Sequence, residues 1–166
     1  MNIVPSIVIR EILPGEYILL EEFLYEAIFI PEGVERPARE VIQRPELAVY
    51  YTDFGKEADF CLIAGYEGMP VGAVWIRLFP ESRKGYGFVD ARTPEICMSV
   101  LPPYRNKGIG ALLLGEMLEC LVHRGYKQVS LSVDEVNYAF RMYQKAGFET
   151  LSSDGISATM IKTLNT

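Results

Sequence analysis

Histidine is almost missing from this chain: 166 residues carry one, His123. The side chain that most readily trades protons near neutral pH is therefore barely represented. His123 falls late in an apolar-periodic stretch, where a cation suits a helix C-terminus, and reads as structural. Cysteine is scarce as well. Cys61, Cys97 and Cys120 are an odd number, widely spaced and each set among apolar residues. That pattern fits reduced, buried thiols of a cytoplasmic protein better than disulfides or a metal site. A nucleophilic cysteine would find few bases to activate it, and no metal is expected. No window approaches the roughly eighteen uninterrupted apolar residues of a membrane span. The opening MNIVPSIVIRE has neither a basic start nor a small-residue cleavage site, so no signal peptide is expected. Basic residues are outnumbered 16 to 22, giving a net charge of −6. This argues against nucleic acid as the main partner and is compatible with an amine or other cationic substrate. Repeats, linkers and low-complexity tracts are lacking too. A composition that is 49% apolar with mixed charge excludes disorder, and one domain over 1–166 is expected.

What is present centres on Ile96–Leu114, ICMSVLPPYRNKGIGALLL. Ile96, Met98 and Val100 alternate with Cys97 and Ser99 at a strand's period of two. Pro102 and Pro103 stop the ladder, since proline has no N–H to offer. Apolar positions then shift to helical spacing at Ile109, Leu112, Leu113, Met117, Cys120 and Leu121. A helix start presents N–H groups without internal partners and the positive end of the helix dipole. Gly108 and Gly110 remove the side chains that would keep an anion from that backbone, and Arg105 and Lys107 add charge beside it. The stretch predicts a phosphate or pyrophosphate cradle; the plainer alternative is a turn with two glycines and a basic surface. It is not a Walker loop, G-x-x-x-x-G-K-S/T, and it lacks the third glycine of the dinucleotide fingerprint.

Around this centre, Ile7, Ile9 and Ile12 suggest a first strand ending at Pro14-Gly15. An amphipathic helix is expected from Glu16 to Ile30, with Leu20, Phe23, Leu24, Ala27 and Ile28 on one face. Short helices are expected over Arg36–Arg44 and Glu46–Tyr51, broken at Pro45. Asp59–Tyr66 and Val71–Leu78 read as a hairpin joined by Glu67-Gly68-Met69-Pro70. Phe79–Arg92, polar and glycine-bearing, reads as a flexible loop and a candidate substrate lid. Gln128–Val133 alternates as a strand. A helix over Asn137–Ala146 capped by Gly147 follows, then strands at Phe148–Leu151 and Ser157–Leu164 with a turn at Ser152–Gly155.

VLPPYRNKGIGALLL, followed by NYAFRMYQKAGF, resembles the GNAT superfamily of acyl-CoA-dependent N-acetyltransferases. Arg105, Gly108 and Gly110 fill its acyl-CoA motif, Q/R-x-x-G-x-G/A. Asn137, Tyr143, Lys145, Gly147 and Phe148 match its later helix. The order of elements along nearly the whole chain is similar as well. The resemblance implies an α/β (α+β) fold: a mixed, mostly antiparallel sheet of about seven strands, splayed after the fourth and flanked by four or so helices. Acetyl-CoA, as co-substrate, would sit in the splay. The backbone of Met98, Ser99 and Val100 would pair with pantetheine amides. The N–H groups of Asn106, Lys107, Gly108, Ile109, Gly110 and Ala111, beside Arg105, would hold the pyrophosphate, and Asn137 would bind the pantetheine arm.

Acyl transfer to an amine needs the amine neutral, the thioester carbonyl polarised, and a proton for the leaving thiolate. A strand N–H near Val100 can polarise the carbonyl. Tyr143 can donate the proton from its phenol; its other reading is a core aromatic. Glu95 resembles the glutamate that some family members use as a base, often through water; it could equally be a solvated strand-end charge. Asp90, Glu81 and Asp134 are weaker candidates, and water alone could serve. Members acetylating protein N-termini often carry a glutamate on the strand before the asparagine. Here that strand has Ser130 and Ser132 at interior positions, which weakens a ribosomal-protein reading without naming another acceptor. The expected activity is direct acetyl transfer in a ternary complex to a primary amine of a small molecule or peptide. A non-catalytic CoA-binding module and, distantly, a nucleotide-phosphate binder are the alternatives. Neither nucleic acid nor a membrane is an expected partner, and a homodimer through exposed strands or the long loop is compatible with the sequence.

Overall fold

Seven strands form one sheet in the order β1-β2-β3-β4-β5-β7-β6 in a computed structural model that describes residues 2–165. The strands are β1 (Val8–Glu11), β2 (Phe60–Tyr66), β3 (Met69–Arg77), β4 (Glu95–Val100), β5 (Gln128–Asp134), β6 (Glu149–Ser153) and β7 (Ser157–Thr163). Every neighbouring pair is antiparallel except β4 and β5. The β2–β3 hairpin turns on two residues, Glu67 and Gly68, with φ of 50° and 79°. Two left-handed residues in succession match the right-handed twist of the strands, so the turn is tighter than the four residues expected, and β3 begins at Met69.

The two faces of the sheet carry separate cores. Against one lie α3 (Ile109–His123) and α4 (Ala139–Lys145), where Ile109, Leu113, Met117 and Tyr143 pack on Val74, Ile96, Leu131 and Met160. The helical stripe runs through Leu114 rather than the more exposed Leu112. Against the other lie α1 (Leu19–Ala27), a 3-10 turn at Arg39–Gln43 and α2 (Pro45–Ala48), burying Leu20, Phe23, Trp75 and Val49. That second core covers only β2 to β4.

Two helices are shorter than their apolar spacing predicts. α1 stops at Ala27, and Ile28 is already extended, so the chain peels away to line a cleft. Pro45 starts α2 instead of breaking a helix, because proline fits the first helical position, where its missing N–H has no partner to lose. Residues 78–94 contain no regular element, as expected. The centre of that segment is nevertheless packed down: Gly85 and Gly87 are buried against Glu95 and the Leu131–Ser132 backbone. A Cβ on Gly87 would come within 2.5 Å of the Leu131 carbonyl carbon. The expected flexible loop is therefore a docked strap, admitted by two missing side chains.

Candidate active site

β4 and β5 touch at one register pair, Glu95 with Ser130, reinforced by the Ser130 N–H donating to Pro94 O at 3.0 Å. Beyond that pair the strands diverge and a cleft of about 880 Å³ opens between them. Glu95 thus stands at the apex of the splay.

Of the residues singled out from the sequence, Glu95, Met98, Ser99, Val100, Arg105, Asn106, Gly108, Ile109, Gly110, Ala111, Asn137 and Tyr143 all line this cleft. Lys107 does not; its side chain is exposed outside the wall. The cradle is formed by backbone conformation. Asn106 and Gly108 are left-handed, with φ of 61° and 89°, and they bend the chain so that α3 begins facing the cleft. A Cβ on Gly110 would find Met98 and Met142 at 3.5–3.6 Å, so the glycine sits directly on the cleft floor. Arg105 is engaged elsewhere. Its Nε donates to Val100 O at 2.8 Å and its Nη2 to Glu26 O at 3.0 Å, tying the end of β4 to the end of α1. Asn137 Oδ1 accepts the Ala139 N–H at 2.9 Å, capping α4 and leaving the amide NH₂ for a ligand.

The titratable groups divide by environment. Glu95 is 3% exposed, and burial raises its carboxyl to about 7, against the opposing pull of the Tyr50 hydroxyl and the Gly87 amide. Its Oε2 accepts the Tyr50 O–H, while its Oε1 has no hydrogen-bond partner among the described residues. Burial pushes the Tyr143 phenol up, and no hydrogen bond accounts for that shift. It stays protonated at neutral pH with a proton to give. Burial likewise pushes up the Cys97 thiol on the same wall, which removes the thiolate a nucleophilic cysteine would need. The weaker base candidates are committed or remote. Asp90 Oδ1 accepts from Thr93 and the Arg92 N–H, Glu81 pairs with Lys84, and Asp134 on the cleft wall accepts from Ser157. His123 Nδ1 lies 2.9 Å from Glu119 O on α3, in keeping with a structural role.

The facing wall draws on the expected substrate lid, through Tyr86, and on the segments around α1 and α2, where the sequence offered no motif to decode. It is built from Leu24 and residues 26–30 at and beyond the end of α1, Arg36, Val41, Leu47, Tyr50 and Tyr86. Glu26 is held between Arg36 at 3.1 Å and Arg105 at 3.4 Å. None of these belongs to a motif. The one legible signal was Gly85-Tyr86-Gly87, an aromatic between glycines in a polar loop. Among the described residues no cluster of His, Cys, Asp and Glu could hold a metal, and no helix is long and apolar enough to cross a membrane.

The sequence matches the acetyltransferase (GNAT) family model over residues 23–148. A 51-residue stretch is 39% identical to the ribosomal protein bS18-alanine N-acetyltransferase of Haemophilus influenzae, spanning 31% of this chain and 35% of that protein. The fold is similar to a GNAT-family acetyltransferase from Streptococcus pneumoniae, with a TM-score of 0.67 and 21% identity over 96% of this chain and 99% of that one. It is also similar to the Escherichia coli ribosomal-protein-S18-alanine N-acetyltransferase, with a TM-score of 0.66 and 15% identity over 96% and 95% of the two chains. A third likeness is to the PaiA N-acetyltransferase of Thermoplasma acidophilum in complex with coenzyme A, with a TM-score of 0.64 and 21% identity over 95% and 99%. The splayed β4–β5 pair, the glycine-bent start of α3 and a family match covering most of the sequence meet in one conclusion: this chain belongs to the GNAT acetyltransferase family.

Proposed function

We propose that residues 1–166 form one N-acetyltransferase domain that moves an acetyl group from acetyl-CoA to a primary amine, in a cytoplasmic setting. One observation carries this reading. A buried carboxyl with a pKa near 7 and a protonated phenol line the same cleft, beside a backbone cradle for phosphate. The cradle fits the donor because Gly108 and Gly110 leave the first N–H groups of α3 open to the cleft. Acetyl-CoA supplies the activated acyl group.

Each residue then has one task. The opened edge of β4 around Met98–Val100 aligns the donor and offers a backbone N–H toward the carbonyl oxygen, where negative charge develops. Asn137 holds the arm of the donor with its free NH₂. Glu95, poised near neutral pH, takes the proton that keeps the amine from attacking. Tyr143 returns a proton to the departing thiolate as the C–S bond breaks and the C–N bond forms. The 51-residue relative acts on an alanine of a ribosomal protein. Here the acceptor is left as a primary amine, since β5 carries Ser130 and Ser132 at the interior positions where members that acetylate protein N-termini often have a glutamate.

Thiol release in the presence of acetyl-CoA and an amine library tests the activity. Release with at least one acceptor is expected; acetyl-CoA binding without release for any amine would favour a non-catalytic module. Tyr143→Phe should lower kcat on the order of 100-fold, the usual worth of a general acid. Its acetyl-CoA affinity by calorimetry should stay within about twofold, because the phenol acts mainly in the transition state. An unchanged kcat would remove Tyr143 from its role.

A further inference from the structure

We propose that Tyr50 is the positioning residue of the general base, holding one oxygen of Glu95 while it fastens the 85–87 strap across the acceptor side of the cleft. This rests on the reading of Glu95 as base. The Tyr50 hydroxyl makes both contacts at once. It donates to Glu95 Oε2 and accepts the Tyr86 N–H at 2.7 Å. A phenol has one proton and two acceptor sites, so this pairing fixes its direction: the proton points at the carboxylate because the amide already points at the oxygen.

The rest of Tyr50 is immobilised by groups with no other task in the site. Trp75, fully buried on β3, donates its Nε1 hydrogen to Tyr50 O at 3.0 Å. Arg77, also on β3 and paired with Asp59 at 3.0 Å, donates to Val49 O and Thr52 O on either side. The Tyr50 ring meets Phe79 edge-on at 5.4 Å between centroids. A Cβ on Gly85 would collide with Glu95 Oε1 and lie 2.8 Å from the Tyr50 hydroxyl, so the strap covers the carboxyl only because residue 85 is glycine. Tyr86, next along, is 58% exposed and stands in the cleft wall. Tyr50 therefore joins the base to the segment an acceptor must touch.

The neighbours of Glu95 leave Tyr50 as its principal partner, with the Gly87 amide of the strap second. Arg77 opposes it in register on β3 but turns to Asp59; Cys97 is a neutral thiol; Ser130 opposes it on β5 with its own hydroxyl unpartnered. Losing the Tyr50 proton removes a hydrogen bond to the charged form and raises the pKa of the carboxyl further.

Two readouts on Tyr50→Phe test this, one of them free of turnover. The acid limb of kcat/KM against pH should move up by at least about one unit, as for a lost hydrogen bond to a charged group. The KM for acetyl-CoA should stay within about twofold while that for the amine rises. The ¹³C titration of the Glu95 carboxyl, assigned by comparison with Glu95→Gln, should move in the same direction without any acceptor present. If Tyr50→Phe does not fold, 3,5-difluorotyrosine at position 50 keeps the shape with a stronger donor and should move both midpoints down. An unmoved ¹³C midpoint overturns the proposal. A moved ¹³C midpoint with an unmoved rate limb overturns the base reading beneath it.

Discussion

Ionising Glu95 inside the cleft wall costs free energy, because burial favours the neutral acid. With a folded pKa near 7 against about 4.5 when unfolded, the native state binds more protons between those values. Stability contributed by this group is therefore highest below about pH 4.5, falls as the pH rises through 7, and levels off above it. The gap corresponds to on the order of 3 kcal/mol at full burial. Glu95→Gln should then raise the melting temperature at pH 8 and change it little at pH 5, while lowering kcat on the order of 100-fold. Thermal scans at the two pH values beside initial rates check both halves; an equal change in melting temperature at pH 5 and pH 8 would contradict the assigned burial cost. Glu95 and Tyr143 could be singled out in the sequence by resemblance to family positions, at the start of the motif strand and on the later helix, and both line the cleft. Tyr50 could not be. Its partner lies 45 residues away, and only the fold brings a phenol on the α2 segment to a strand end on β4.

At the scale of elements, the cradle depends unequally on its two glycines. Gly108 has a φ of 89°, where an L side chain is strained by about 1–2 kcal/mol. Gly110 lies within α3, and a Cβ there would meet only ordinary contacts. Gly108→Ala should lower stability by about that amount in urea titrations and weaken acetyl-CoA binding more than about tenfold. Gly110→Ala should leave the unfolding midpoint nearly unchanged; equal destabilisation of the two variants would contradict this account. β4 and β5 were legible because Ile96, Met98 and Val100, and Val129, Leu131 and Val133, alternate toward the α3 core, and β3 was legible as an apolar run because both its faces are buried. The strap was not, because its order comes from the fit of Gly85 and Gly87 against other elements, and periodicity carries no trace of that. α1 was overextended for a related reason: Ile28 is apolar to suit the cleft, not the helix.

Across the whole molecule, the sheet is two blocks hinged at one residue pair, β1 to β4 on one side and β5 to β7 on the other, sharing the α3 and α4 core. A donor lying in the splay would bridge the blocks. Saturating acetyl-CoA should slow amide exchange at the start of α3 and along the opened edge of β4, and raise apparent stability by about 2.7 kcal/mol at a hundredfold excess over Kd. Protection confined to β1 and β2 would place the ligand elsewhere. The two cleft walls also come from separate runs of chain. The motif-bearing wall lies within residues 95–143, and the facing wall within residues 24–50 with Tyr86. On the proposed reading, substrate choice is thereby segregated from donor handling in the linear sequence. The facing segment could be recombined between relatives, or drift under selection for a new amine, with the donor machinery inherited intact, provided the residue at position 50 still carries a hydroxyl.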